Sequence, residues 1–129
     1  MCSSDLLRTL VVLIAQIESA TGVRNAGAIA AVDGVDALLV GAADLAVSER
    51  TTPADPRVVE LIASAVAQGR AAGVPVGNAG AATAASVQAA VGTGFTFTML
   101  GNDAGLLGAA ARSAVDAGRT VTFDDEENR

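Results

Sequence analysis

At 129 residues the chain is long enough for one ordinary domain with a real core, and at 51% hydrophobic and 17% charged it is too apolar for disorder. A net charge of −6 and a pI near 4.3 argue against nucleic acid as a partner, since no basic patch exists to neutralise phosphates. All eight positive charges are Arg. Without Lys a Schiff-base mechanism cannot run, and without His the commonest general base and metal ligand are missing. Any metal must be held by carboxylates and other oxygens.

The elements alternate. Leu10–Ile17 is an apolar run that predicts a buried strand, too short for a membrane span and interrupted by Gln16. Val23–Ala31 predicts a short helix and Ala37–Val40 a second strand. After a long loop, Pro56–Ala72 is the clearest helix. Asp55 suits its N-cap, Pro56 its first turn and Gly73 the position just past its end. Val58, Leu61, Ile62, Ala65 and Val66 share one face of that helix, while Arg57, Glu60, Ser64 and Gln68 face elsewhere. Val74–Gly77 predicts a third strand, Thr83–Val91 a third helix, Phe95–Leu100 a fourth strand and Ala104–Ala117 a last helix. With three Phe and no Tyr or Trp, packing falls to Ala, Val, Leu, Ile and Gly. Cys2 is the only cysteine, so no internal disulfide forms and a reducing cytoplasm is the expected location.

Strands alternating with helices imply an α/β fold with a parallel sheet, either small and open or half of a closed barrel. In both, ligands bind at the carboxyl ends of the strands. The polar residues that follow strands are therefore the candidates: Gln16 and Glu18, Asp44, Asn78, and Asn102 with Asp103. Gln16 and Glu18 are two apart, which puts both side chains on one face of a strand end. Asp44 follows Gly41-Ala42-Ala43, where small residues leave room for a ligand beside the Ala43 amide. Glu18 and Asp44 on neighbouring strand ends could hold a divalent cation together with waters and substrate oxygens. The bland alternatives are a solvated or ion-paired glutamate and an aspartate that merely caps a helix.

Ordered segments carry a resemblance. Gln16-Ile17-Glu18-Ser19-Ala20-Thr21-Gly22-Val23-Arg24-Asn25, Ile29–Asp36, Val40-Gly41-Ala42-Ala43-Asp44-Leu45, Ala71–Gly77 and Leu100–Leu107 together resemble the C-terminal half of the HpcH/HpaI aldolases. These are class II pyruvate aldolases of the phosphoenolpyruvate/pyruvate barrel superfamily. The resemblance implies four βα units forming the second half of a (βα)8 TIM barrel. It implies a divalent-metal-dependent lyase that cleaves a 4-hydroxy-2-oxo acid to pyruvate and an aldehyde through a metal-stabilised enolate. Glu18 and Asp44 would be the metal ligands for Mg²⁺, Mn²⁺ or Co²⁺. Gln16, Gly41, Ala42 and Ala43 would hold the oxo-acid substrate, and Val76–Asn78 would approach this site or a neighbour's site in the oligomer.

The resemblance also implies a homo-oligomer, a hexamer in which the last helix packs on an adjacent subunit; packing on its own barrel is the alternative. The family's Arg and His–Asp unit belong to the first half of the barrel, so no catalytic residue is assigned here and the chain alone is expected to be inactive. Two departures stand out: Ala42 where the family has Pro, and Ala46-Val47-Ser48-Glu49-Arg50 without the usual Gly. A citrate-lyase-β-like or malyl-CoA-lyase-like lyase, and a non-enzymatic half-barrel binding or assembly module, are the rival readings.

Three segments are expected. Met1-Cys2-Ser3-Ser4-Asp5-Leu6 resembles the translation of a sequencing-adapter remnant, so positions 1–9 read as a non-native or disordered start, with an ordinary polar terminus as the alternative. Positions 10–118 form the partial barrel. Positions 119–129 form an acidic, solvated tail.

Overall fold

The computed structural model describes residues 11–122. Four strands, β1 (Ile14–Ile17), β2 (Ala37–Val40), β3 (Val76–Gly80) and β4 (Phe97–Leu100), form one sheet in the order β1-β2-β3-β4. All three neighbouring pairs are parallel, with Gln16 opposite Leu39, Leu39 opposite Gly77, and Gly77 opposite Phe97. Helices return the chain between strands: α1 (Ala20–Arg24), α2 (Ala26–Ala30), α3 (Ala42–Ser48), α4 (Pro56–Ala71) and α5 (Ala84–Thr93), with α6 (Asp103–Arg119) after β4. Sequential parallel strands joined by helices are four consecutive units of a (βα)8 barrel, as expected.

The core lies between the sheet and the helices. Ile17, Leu38, Val40 and Val76 point into it and meet Val23, Leu45 and Val58, all at most 2% exposed. The face of α4 expected to be apolar is the one that packs: Val58, Ala65 and Val66 are buried, with Leu61 and Ile62 half-buried. Gly69 lets this helix cross the sheet closely. A Cβ there would lie 2.4 Å from Val76 Cγ2 and 3.2 Å from Leu38 Cδ1.

The opposite sheet face carries Gln16, Leu39, Gly77 and Phe97, and corresponds to the barrel interior. Its edges lie at β1 and β4, and Ile14, Met99 and Leu100 on these strands are exposed.

Asp55 caps α4 as expected, accepting from the Arg57 backbone N–H at 2.9 Å. Ser19, Thr83 and Asn102 do the same for α1, α5 and α6. Asn102 thus has a local structural duty.

Several boundaries differ from the sequence reading. β1 starts at Ile14 because β2 offers no partner before Ala37; the Leu13 backbone is instead tied to Asp36, whose carboxylate accepts its N–H at 2.7 Å. Leu10 lies outside the described residues. The expected helix over Val23–Ala31 is two short helices, opened by Ser19 and divided at Asn25.

β3 and β4 each begin two residues late for one reason. The Val74 N–H bonds the Gly69 carbonyl and the Phe95 N–H bonds the Ala90 carbonyl, across Gly73 and Gly94 at φ of +78° and +97°. These are glycine-closed helix ends, so the first apolar residue of each run finishes a helix before the strand begins. The long loop after β2 is also partly helical, since α3 follows Gly41 directly.

The resemblance leaves α6 to pack either on a neighbour or on its own barrel. No α6 side chain is buried, and Leu106, Leu107 and Val115 are all more than half exposed. The expected start over positions 1–9 and acidic cluster Asp124–Glu127 lie outside the described residues.

Candidate functional site

The candidate site is built where β1 and β2 end. The Gly41 N–H donates to the Ile17 carbonyl at 3.1 Å, which holds the end of β2 against the end of β1. Glu18, the next residue after Ile17, is thereby brought beside Gly41. Asp44 arrives from the other side, in the first turn of α3, where negative charge suits the helix N-terminus. It is not the N-cap; Gly41 occupies that position and offers no capping side chain.

Gly41 measures the convergence. A Cβ there would lie 3.0 Å from Glu18 Cγ, 3.1 Å from Glu18 Oε1 and 3.4 Å from Asp44 Oδ2. Both carboxylates therefore reach one small space that a side chain at position 41 would fill. The Gly41 backbone, at φ −86° and ψ 86°, makes no demand for left-handed geometry. What requires a glycine here is space.

Gln16 sits on the same side, its Nε2 donating to Glu18 Oε1 at 2.9 Å. Ala42 and Ala43 open α3, so their amides belong to the first turn, which has no intrahelical acceptors. All six sequence-predicted site residues, Gln16, Glu18, Gly41, Ala42, Ala43 and Asp44, thus gather at the carboxyl end of the β1–β2 pair. Arg57 pairs with Asp55 and Arg119 with Asp116, and among the described residues no arginine pairs with Glu18 or Asp44.

No cluster of three or more His, Cys, Asp or Glu suited to a metal occurs among the described residues. A cation between Glu18 and Asp44 would need its remaining ligands from water and substrate oxygens. The open space beside Gly41 and the all-oxygen donor set fit a hard divalent ion.

Asn78 is not part of this site. It lies within β3, two residues from Val76 and therefore on the helix-facing side. Its Oδ1 is buried without a hydrogen-bond partner. Asn78, Ala42 and Ser86 help line a cavity of about 580 Å³ between α4, α5 and the sheet.

Sequence reading missed Gln68, whose side chain accepts from the Gly27 N–H at 3.1 Å and donates to the Val23 carbonyl at 2.9 Å. It pins α1 and α2 to α4. The signal was a polar residue one helical turn from Ser64, which its Nε2 also contacts at 3.1 Å.

A parallel βα sheet whose carboxylates gather at strand ends defines the class, a (βα)8-barrel domain with its site at the carboxyl face. The chain belongs to the HpcH/HpaI aldolase/citrate lyase family, whose model matches residues 7–110. It is similar to the 5-keto-4-deoxy-D-glucarate aldolase of Citrobacter koseri, at 35% identity over 83% of this chain and 42% of that protein. It is similar also to the 4-hydroxy-2-oxovalerate aldolase of Novosphingobium aromaticivorans, at 49% identity over 52% of this chain and 26% of that protein.

Among solved structures, a family protein from Burkholderia cenocepacia matches with a TM-score of 0.75 and 37% identity, covering 84% of this chain and 43% of that one. The chain thus spans less than half the length of each of these relatives. No helix among the described residues is long and apolar enough to cross a membrane.

Proposed function

We propose that this chain carries the metal-binding part of the active site of a divalent-metal-dependent carbon–carbon lyase, an aldolase that cleaves a 4-hydroxy-2-oxo acid to pyruvate and an aldehyde. The observation that carries this reading is the convergence of Glu18 and Asp44 on the space left by Gly41. Membership of an aldolase family and similarity to two aldolases of 2-oxo acids support the reaction class.

Glu18 and Asp44 would hold Mg²⁺, Mn²⁺ or Co²⁺. When bound, the cation supplies Lewis-acid stabilisation of the enolate left as the carbon–carbon bond breaks. Gln16 presents an amide donor to the oxo acid. Ala42 and Ala43, whose amides lie in the first turn of α3, turn backbone N–H groups toward its carboxylate, and the small residues Gly41, Ala42 and Ala43 keep the approach open.

The sequence has no His, and neither Gln16 nor the Ala42–Ala43 amides can serve as a general acid or base at neutral pH. The family resemblance implies that a His–Asp unit supplies the general base and that an Arg accompanies it; with no His in this sequence, the chain alone is inactive under this reading. Assembly into a homo-oligomer through α6 goes with this reading, because that helix leaves Leu106, Leu107 and Val115 uncovered. So does a cytoplasmic location.

The test is Mn²⁺ titration of the 129-residue chain, followed by electron paramagnetic resonance, with and without pyruvate. Saturable binding that pyruvate tightens, and that Glu18→Gln and Asp44→Asn each abolish, is the expected result. Binding indifferent to both substitutions overturns the metal assignment. Pyruvate release from a 4-hydroxy-2-oxo acid by the purified chain overturns its inactivity.

A further inference from the structure

Glu18 Oε1 has two close neighbours. Gln16 Nε2 donates to it at 2.9 Å, and the vacant Cβ position of Gly41 is 3.1 Å away. The oxygen held by the amide is thus the same oxygen that faces the space shared with Asp44. From this we infer that Gln16 is a positioning residue for the cation site: its amide fixes the Glu18 carboxylate so that Oε1 presents its remaining lone pair toward Asp44. The inference rests on the metal reading proposed above and gives Gln16 a duty besides any contact with substrate.

The chemistry favours an amide in this role. A glutamate side chain is flexible, and holding it before the ion arrives removes an ordering cost from binding. An Arg or Lys could hold the carboxylate equally well, but its positive charge would oppose a cation. The glutamine amide donates without charge. Its NH₂ group carries two N–H donors, so one can serve Glu18 while the other remains for a ligand oxygen. Strand geometry supplies the alignment, since residues two apart at the end of β1 project to the same side. The Arg24 guanidinium, the nearest cationic group in sequence, is engaged by the Thr21 hydroxyl at 2.7 Å.

The test uses the complete 129-residue chain and Mn²⁺ alone. Gln16→Met keeps length and removes both donors; Gln16→Ala removes the side chain. Residue 16 is exposed, so both variants are expected to melt as the parent does. Loss of an outer partner of a metal ligand weakens affinity by about tenfold or more. Both variants should therefore bind Mn²⁺ about tenfold more weakly, with an altered resonance spectrum of the bound ion. Parental affinity and spectrum in both variants overturn the inference. If Glu18→Gln abolishes binding while the Gln16 variants bind normally, only the positioning role fails. If the parent chain binds no Mn²⁺, or Glu18→Gln binds as the parent does, the metal reading falls and this role with it.

Discussion

Glu18 and Asp44, 26 positions apart in sequence, approach the same missing Cβ of Gly41, at 3.1 Å and 3.4 Å. Because the Gly41 backbone is one that alanine adopts readily, Gly41→Ala separates the site from the fold. The new methyl displaces the flexible Glu18 side chain and leaves the β1–β2 ladder intact. The expected outcome is Mn²⁺ affinity lower by about tenfold, a loss of the size seen when a metal ligand's setting is disturbed. Far-ultraviolet circular dichroism should be unchanged. Unaltered binding would mean that the space beside Gly41 is not where the ion sits.

Gly69 tests the opposite case, a glycine needed by the core. Alanine is the better helix former by about 1 kcal/mol. A Cβ at 2.4 Å from Val76 Cγ2 cannot be accommodated without moving α4 off the sheet. Overpacking of this kind costs about 1–3 kcal/mol and outweighs the propensity gain. Gly69→Ala should therefore lower the urea midpoint. Combining it with Val76→Ala, which removes the clashing methyl, should cost less than the two single changes added together.

Gln68 offers a third test, because its amide satisfies backbone groups of two other elements. Gln68→Leu keeps bulk but strands the Gly27 N–H and the Val23 carbonyl. Leaving partly buried polar groups unpaired costs about 1–3 kcal/mol. The predicted signature is earlier urea unfolding together with faster amide exchange confined to residues 20–30. Mn²⁺ affinity should move far less than in Gly41→Ala.

These cases show what the sequence made legible. The alternation of apolar runs and Ala-rich stretches sufficed for four βα units, and Asp55, Pro56 and Gly73 bounded α4 to within a residue. The gathering of Gln16, Glu18, Gly41 and Asp44 at one strand end was legible as well, because polar side chains after apolar runs are conspicuous and the resemblance supplied their grouping. The starts of β3 and β4 were not, since Val74 and Phe95 look like strand residues until their N–H groups are seen closing helices. Nor was α3: Gly41-Ala42-Ala43 reads as a loop, and only the Leu45 N–H bond to the Gly41 carbonyl, at 2.9 Å, reveals a helical turn. For Gln68 the sequence shows only that it lies off the apolar face, because its partners are more than forty residues away. Periodicity reports which face is apolar, not which polar side chain reaches across to a neighbour.

Asp55 carries the expected acid sensitivity of the α4 entry. The Arg57 side chain, then the Thr51 hydroxyl and the Arg57 backbone N–H, hold its carboxyl well below the ordinary carboxylate range. A carboxyl whose pKa is depressed by folding stabilises the native state at pH values above its unfolded pKa, about 4. That contribution is lost as pH falls below about 4 toward the folded value. Asn at this position keeps the N-cap and removes only the charge. The urea midpoint of the parent should therefore exceed that of Asp55→Asn at pH 6, and the gap should narrow progressively as the pH is lowered below about 4. Added salt should narrow the gap at neutral pH, since the Arg57 side chain is 67% exposed and the pair is open to screening. A gap that stays constant from neutral to acid pH would assign the whole effect to capping and none to the carboxylate's charge.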